Sequence, residues 1–304
     1  MTITTSFRPG AVLLAAGLFA SLATAQTFTV SGFSTPESVI HDTIQDIYFV
    51  SNVGPGYAGA LDGNGFISRV SPNGTILQLA WVAGLNGPKG LWLFGDGLYV
   101  ADVNTLRIFN RFTGATTATI PIPNPFAQAL FLNDVVVAND GTAFITDNVN
   151  SGIFQVTPQG RPSLLASGPA LGGPNGIQVQ GANISWVTFF SNRVLRTNPS
   201  ANVFTQITLP TVDVSQAGLP PGALLLDGYI RLQDGRVLLS SWVTGNVSFI
   251  STSGNVTTVA HVASLFDPSG PAGPADINVD LTRGRVLIPL FNFGQLLIVP
   301  LPAR

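Results

Sequence analysis

Six polar residues stand at the same place in six similar phrases of the sequence, each after a turn and before an apolar run, as in "GPKGLWL" and "GPNGIQV". Carboxylate and amide oxygens in such a set are the ligands of hard cations such as Ca²⁺ and Mg²⁺. The chain has no cysteine and two histidines, which argues against a structural zinc site. We therefore predict one divalent cation, Ca²⁺ or Mg²⁺, bound by Glu37, Asn133, Asn175 and Asp227. The six residues are Glu37, Lys89, Asn133, Asn175, Asp227 and Asp276.

Each of these residues, taken alone, has a simpler interpretation as a turn former, because Asn and Asp often precede a strand. Glu37 forms turns poorly, and six polar residues in register favour a shared site. The role of Lys89 stays open: it neutralises Glu37, holds an anionic group of a substrate, or competes with the cation. Burial lowers the pKa of a lysine whereas neighbouring carboxylates raise it. We expect a charged Lys89 that orients the substrate.

The six residues recur with a period of about 40 to 50 residues, which is typical of repeat architectures. In each repeat the polar residue heads a short apolar strand, and a turn such as "NDG" at 139–141 leads to a second strand. Third and fourth strands follow, joined by turns such as Pro-Asn-Gly at 72–74. Four short strands per repeat are typical of a β-propeller blade. Because the first strand of each blade lines the central channel, the six heads are expected to meet at one channel mouth.

The predicted fold is an all-β, six-bladed propeller that spans residues 26–304. After "GPADINV" at 273–279 the chain has room for only two more strands, so the last blade lacks its outermost strand. The segment "TFTVSG" at 27–32 is extended and has no hairpin partner of its own. We predict that residues 27–31 pair with the last strand near 295–300, which closes the ring and removes two exposed edges.

The first 25 residues have the features of an export signal. Arg8 provides a positive flank, residues 10–23 form an apolar stretch short of transmembrane length, and "ATA" at 23–25 fits a cleavage site before Gln26. We expect a secreted or periplasmic protein with no stable membrane anchor after signal removal. A chain of 304 residues with 9% charged residues and a net charge of −2 has no nucleic-acid footprint. We expect a monomer that acts on a small molecule.

The four predicted ligands, the phrase "LNDVVVANDGTAFITDN" at 132–148 and the "GPNGI" turn at 173–177 together resemble the family of senescence marker protein, gluconolactonase and luciferin-regenerating enzyme. The chain is also similar to the related paraoxonase-like lactonases. The resemblance covers essentially the whole mature chain. It implies a six-bladed propeller with a central divalent ion, usually calcium, and the hydrolysis of lactones or esters.

The sequence also departs from that pattern. Paraoxonase-like enzymes carry a histidine, proposed as catalytic base, where this chain has Lys89. The second, structural calcium of those enzymes uses an acidic residue where this chain has Ser38, although Asp134 is kept, so the resemblance implies one metal. The histidines present, His41 and His261, stand outside the strand heads, and a lone histidine is more often structural. Strictosidine-synthase-like propellers share the architecture and work without a metal.

The predicted chemistry is metal-assisted attack of water on a lactone or ester carbonyl. Asp227 is the expected general base, with Asp134 as a second catalytic candidate, and Lys89 and Asp276 are expected to bind the substrate. A protein nucleophile is disfavoured because no Gly-x-Ser-x-Gly elbow occurs. Loops on the same face are expected to form a partly apolar pocket wall. The alternative is a propeller without catalysis that serves as a binding platform. The three loops are 51–65, 210–223 and 264–274.

Overall fold

The computed structural model describes residues 26–200, 203–207, 225–262 and 273–303. These residues form 24 strands in six four-stranded antiparallel sheets, arranged as the blades of a propeller. The helices among them are two single turns of 3-10 helix, Pro169–Leu171 and Phe291–Phe293. No helix in the described ranges has the length and hydropathy to span a membrane. The prediction of an all-β, six-bladed propeller is confirmed.

The blades follow one another along the chain, and within each the strands pair in sequence order from the channel outwards. An extended segment, β1 (Phe28–Ser31), precedes the first of them. Blade 1 contains β2 (Pro36–Asp42), β3 (Ile47–Asn52), β4 (Gly65–Val70) and β5 (Ile76–Leu85). Blade 2 contains β6 (Pro88–Phe94), β7 (Gly97–Asp102), β8 (Thr105–Asn110) and β9 (Thr116–Pro121). Blade 3 contains β10 (Leu132–Val137), β11 (Ala143–Asp147), β12 (Gly152–Val156) and β13 (Pro162–Ser167).

The second half of the ring repeats this pattern. Blade 4 contains β14 (Pro174–Gln180), β15 (Asn183–Thr188), β16 (Val194–Asn198) and β17 (Val203–Ile207). Blade 5 contains β18 (Leu226–Arg231), β19 (Val237–Ser241), β20 (Asn246–Ile250) and β21 (Val256–His261). Blade 6 contains β22 (Asn278–Asp280), β23 (Arg285–Leu290), β24 (Gln295–Pro300) and, as its outermost strand, β1.

Burial falls from the channel to the rim of the ring. Every residue of β2 is buried, whereas most residues of β9, "TTATIP", are exposed. The inner strands are covered on both faces by neighbouring blades, so they accept continuous apolar runs. The outer strands have one open edge, and short polar sequences there limit edge-to-edge association.

The hydrophobic core consists of six separate clusters, and each fills the space between two adjacent blades. Between blades 3 and 4, for example, Phe144 and Ile153 pack with Trp186 and Leu195. Each blade therefore buries both of its faces against its neighbours, and this apolar burial stabilises a chain that has no cysteine.

The ring closes as predicted. Strand β1 pairs antiparallel with β24, with Phe28 opposite Ile298 and Ser31 opposite Gln295. Val30 is buried in the cluster between blades 6 and 1, together with Leu296. The closing strand thus contributes both backbone hydrogen bonds and apolar contact. The predicted signal peptide, residues 1–25, the loop 210–223 and nearly all of the loop 264–274 lie outside the described residues.

Candidate metal and substrate site at the channel mouth

A β-bulge places each polar head at the channel. In five blades the ladder between the first and second strands skips at the same point, for example between Pro36 and Val39 and between Leu226 and Tyr229. The two residues inside each skip are the predicted head and the residue that follows it. A bulge redirects side chains relative to a regular strand, so the repeated bulge turns consecutive side chains toward the channel and toward the neighbouring blade.

In three of these blades the bulge leaves a backbone N–H group without a partner in the ladder. A hydroxyl side chain on the second strand accepts a hydrogen bond from that group. The N–H of Ser38 donates to Ser51 Oγ at 2.8 Å, and the N–H of Gly228 donates to Ser240 Oγ at 2.7 Å. In blade 3 the N–H of Asp134 donates to Thr146 Oγ1 at 2.9 Å. These bonds keep buried backbone donors paired and fix the heads of alternate blades.

Neighbouring inner strands approach so closely beside the heads that a side chain would not fit there. A Cβ on Gly176 would lie 2.5 Å from the carbonyl oxygen of Asp227, and one on Gly228 would lie 2.5 Å from the amide nitrogen of Ile277. Real Cβ atoms essentially never come within 3.0 Å of another heavy atom in this way. Glycine at these positions therefore lets the inner strands lie close together around the channel axis.

The mouth opens into a cavity of about 380 Å³ with a polar floor and an apolar wall. Four of the six heads line this cavity: Glu37, Lys89, Asn133 and Asp227. Asn175 does not line it and is fully buried. A further floor residue, Asn148, follows the second strand of blade 3. Sequence reasoning missed Asn148, although it closes the quoted phrase 132–148.

Five buried oxygen atoms at or behind this floor have no hydrogen-bond partner among the described residues, and neither has the side-chain nitrogen of Asn175. Buried polar atoms are nearly always paired in native proteins, and each exception calls for an unseen partner such as an ion or water. Two carboxylate and three amide oxygens fit the ligand set of Ca²⁺ or Mg²⁺. The donor chemistry therefore fits a hard divalent cation. The five atoms are Glu37 Oε2, Asn133 Oδ1, Asn148 Oδ1, Asn175 Oδ1 and Asp227 Oδ1.

Carboxylates alone do not make this site. Within the described ranges, no three His, Cys, Asp or Glu side chains come close enough together to hold a metal ion. Any cation here therefore depends on the neutral amide oxygens of residues such as Asn133 and Asn175, which is compatible with the mixed ligand sets of calcium.

Burial makes negative charge costly at this floor. The pKa of Glu37 is raised well above its usual value, first by burial and then by the charges of Asp227 and Asp276, while Lys89 opposes the shift. The pKa of Asp227 is also raised well above its usual value, by burial and by Asp276, with Asn175 opposing. A divalent cation would favour the ionised forms of these carboxyl groups.

Two predicted site residues lie beneath the cavity and do not line it. Asp134 accepts the backbone N–H groups of Val135 at 2.7 Å and of Ile177 at 2.8 Å, so it ties blade 3 to blade 4. Asp276 accepts the hydroxyl of Ser38 at 2.6 Å, which ties blade 6 to blade 1. Both carboxyl groups already have partners and stay away from the open mouth. We therefore leave them out of the proposed substrate contacts.

Lys89 is buried and held by the backbone. Its Nζ donates to the carbonyl oxygens of Ala58 at 2.9 Å and Gly87 at 3.1 Å, and it lies 4.2 Å from the ring centre of Phe131. Two of its three N–H donors are thus used, and the third remains for a ligand in the cavity. Burial lowers the pKa of Lys89 to about 8, although Glu37 raises it, so the side chain is mainly charged at neutral pH.

Three aromatic pairs form the wall of the cavity. Their ring centres lie 6.3, 5.3 and 5.0 Å apart, within the range of favourable aromatic contact. Tyr57 is 72% exposed and Phe190 is 58% exposed, so apolar surface faces the opening. The sequence predicted a partly apolar wall but gave no sign of these aromatic pairs. The pairs are Tyr57–Phe131, Phe189–Phe190 and Trp242–Phe291.

Neither histidine reaches this mouth. His41 lies at the far end of β2, where its Nε2 is 3.2 Å from Asp46 and its Nδ1 is 3.5 Å from Asp280. His261 lies at the end of the outermost strand of blade 5 and pairs with Asn246. Among the described residues that line the mouth, the side chains with polar atoms are those of Glu37, Tyr57, Lys89, Asn133, Asn148, Asp227 and Trp242.

No model of a known protein family matches the sequence, and no curated protein matches it. Solved structures do match the fold. A gluconolactonase from Xanthomonas campestris has a TM-score of 0.64 and 16% identity, with 95% of this chain and 94% of that chain covered. The chain has the gluconolactonase-like propeller fold. A streptogramin B lyase has a TM-score of 0.63 and 11% identity over 93% of this chain and 99% of the lyase.

The same fold also occurs in a nidogen–laminin complex, where the match has a TM-score of 0.55, 16% identity and covers 73% of this chain and 79% of that one. Propellers of this shape thus occur in proteins named as a lactonase, as a lyase and as part of a protein–protein complex. Because fold does not determine function, the functional argument has to rest on the side chains of this chain.

Proposed function

We propose that this protein is a divalent-cation-dependent hydrolase of lactones or esters that acts at the aromatic-walled mouth of the channel. One observation carries the proposal: four buried oxygens without hydrogen-bond partners belong to residues that line one cavity, and a fifth belongs to Asn175, which is buried beside Asp227. The likeness of the fold to gluconolactonases supports the hydrolase class. Calcium suits the mixed carboxylate and amide set best.

The proposed cation ligands are Glu37, Asn133, Asn175 and Asp227, with Asn148 added from the structure. When bound, the cation would polarise the carbonyl group of the substrate and stabilise the negative charge that develops on its oxygen. Asp227 is the proposed general base, through the carboxylate oxygen that does not hold the cation, because this side chain lines the cavity. It would accept the proton that the attacking water loses.

Lys89 is the proposed contact for the polar part of the substrate. Its ammonium group is fixed by two carbonyl oxygens and retains one donor. The aromatic wall would hold the apolar part of the substrate, since burial against such rings stabilises apolar groups by about 25 cal/mol per Å². The arrangement thus favours esters or lactones that have an apolar substituent beside one reactive carbonyl.

Two ligand variants test this proposal. Asn175→Ala removes a neutral ligand and leaves the proposed base, whereas Asp227→Asn keeps an oxygen but removes the base. We expect both to weaken calcium binding. Saturating calcium should restore ester turnover in Asn175→Ala, while Asp227→Asn should stay about 10² to 10⁴ times slower than wild type. Equal rescue of the two variants would remove Asp227 from the role of base.

The alternatives predict different results in the same experiments. A metal-free propeller would melt at the same temperature with and without a chelator. A binding platform would gain stability from calcium but would hydrolyse no member of a panel of lactones and aryl esters. Hydrolysis of several of these lactones or esters by the wild-type protein, lost when a chelator is added, would support the hydrolase.

We further propose that the protein is exported and acts as a monomer outside the cytoplasm, secreted or periplasmic, without a stable membrane anchor and without a nucleic-acid partner. The export signal predicted for residues 1–25 supports this proposal. The intact mass of protein recovered outside the cytoplasm should correspond to a chain that begins at Gln26. A mass that includes the first 25 residues would contradict signal removal.

A further inference from the structure

A second cavity, of about 400 Å³, lies at the opposite mouth of the channel. His41 and Arg231 line it at the far ends of strands β2 and β18, whose near ends carry Glu37 and Asp227 at the proposed active site. The two cavities are therefore separated by the length of the inner strands. The proposed hydrolysis makes no use of this second mouth.

Two guanidinium groups line this cavity without donating a hydrogen bond to any described residue. The side chain of Arg111 is only 10% exposed, and its nearest acid, Asp42, lies at 3.6 Å from Nη1. Arg231 has no acid within ion-pair distance in the described ranges, and its buried Nε is unpaired. The buried Nε of Arg111 is unpaired as well. Unsatisfied buried donors cost free energy, and for charged groups the cost is larger.

Other arginines of the described chain show what satisfied guanidinium groups look like here. Arg283 binds the carboxylates of Asp46 and Asp280, Arg285 donates to the carbonyl of Pro72 at 2.7 Å, and Arg236 pairs with Asp234 at 2.8 Å. An unpaired buried Nε also occurs on Arg69, Arg107 and Arg285. Arg231 differs from the three arginines above because its guanidinium group has neither an acceptor nor an acid partner among the described residues.

The acids near this mouth are already committed to other groups. Asp42 accepts the N–H of Ile44 at 2.9 Å and the side-chain amide of Gln45 at 2.8 Å. Asp46 and Asp280 face the two nitrogens of His41. Arg111 therefore shares its nearest carboxylate, that of Asp42, with two other donors, and Arg231 has no carboxylate partner among the described residues.

Neutral donors complete the lining. The side-chain amides of Gln178 and Asn278 face the cavity, and Trp92 adds an aromatic surface. Asn278 Oδ1 accepts the N–H of Val279 at 2.9 Å, which leaves the amide N–H₂ group for a ligand. Planar guanidinium groups with amide donors match the oxygen atoms of carboxylates and phosphates.

We propose that this second mouth is a binding site for a small oxyanion, a carboxylate or a phosphate, held by Arg111 and Arg231. The ligand supplies the acceptors that both guanidinium groups lack, and the amide groups of Gln178 and Asn278 complete its contacts. The site is independent of the proposed hydrolysis, since it shares no residue with the floor of the first cavity.

Isothermal titration of the mature protein with inorganic phosphate, and separately with citrate, tests the proposal. The protein is first stripped of metal ions with a chelator, which is then removed by dialysis against metal-free buffer, so that an anion cannot bind through a cation at the first mouth. We expect saturable binding of at least one of the two anions at constant ionic strength. Arg231→Gln should weaken that binding at least about tenfold, as expected when a charged hydrogen-bond donor to an anion is lost. Arg196→Gln, a change at an exposed position of blade 4, should leave it unchanged.

Arg231→Lys keeps the charge but loses the planar guanidinium group. It is the test variant if Arg231→Gln does not fold. We expect its affinity to lie between those of wild type and Arg231→Gln. Tight binding of phosphate alone, or of citrate alone, supports the site and identifies its chemistry. No saturable binding of either anion, or equal affinity in wild type and Arg231 variants, overturns the proposal.

Discussion

Replacing Asp276 by Asn should stabilise the metal-free protein, and the gain should grow with pH. Burial raises the pKa of the Asp276 carboxyl group from 3.8 to about 7, and the hydrogen bonds from Ser38 and the backbone of Ile277 oppose only part of that shift. A shift of about 3 units corresponds to roughly 4 kcal/mol, because each unit is worth about 1.4 kcal/mol.

The sign follows from the direction of the shift. Because the folded pKa lies above the unfolded value, the favourable contribution of Asp276 is complete below about pH 4 and is lost as the pH rises through about 7. Asparagine does not titrate and so loses nothing over that range. The variant should therefore gain roughly 4 kcal/mol relative to wild type between about pH 4 and about pH 8.

Urea unfolding in the presence of a chelator, repeated over this pH range, measures the difference. Asp46→Asn is a useful contrast, since the hydrogen bonds from Arg283 lower the pKa of Asp46 although its partial burial opposes them. That variant should lose stability at neutral pH and approach wild type in acid. A stability difference between Asp276→Asn and wild type that does not change with pH would refute the reasoning.

Three other variants test the floor, the wall and the inner strands. Lys89→Met should raise the KM for anionic esters more than it lowers kcat, in steady-state kinetics, because a binding contact is lost; the opposite split would contradict a substrate-binding role. Phe190→Ser should reduce kcat/KM for long-chain esters but hardly for acetate esters, since about 0.8 kcal/mol is lost per unburied CH₂ group. Gly228→Ala should destabilise the fold by about 1–3 kcal/mol or more in thermal melts, because its Cβ would meet the backbone of Ile277; an unchanged melting temperature would show that the strands have room to separate.

Repetition made the fold predictable from sequence. Six turn-and-strand phrases set the number of blades, and the unpaired segment at residues 27–32 indicated how the ring closes. The positions of the heads were also predictable, because the bulges that hold them fall at the same place in the repeats. Glu37, Asn133 and Asp227 lie together at one cavity for this reason.

The surroundings of those heads were not predictable, because they depend on contacts between blades. Asp134 and Asp276 looked equivalent to the other acids in sequence, yet each is bonded to an adjacent blade beneath the floor. Asn148 and the residues of the aromatic wall lie in connections between second and third strands, or in the turn before a first strand. Those segments differ in length from blade to blade, so no period reveals them. The assignments of ligands, base and metal remain predictions.

Ring closure by β1 has a mechanical consequence. Phe28, at the start of β1, lies opposite Ile298, near the end of β24. The N-terminal end of β1 and the C-terminal end of β24 therefore lie side by side. A force applied between the termini would load the first hydrogen bonds of the ladder one after another, as in opening a zipper, and would not load them all in parallel. Pulling in a single-molecule experiment should therefore detach β1 at low force before any blade unfolds.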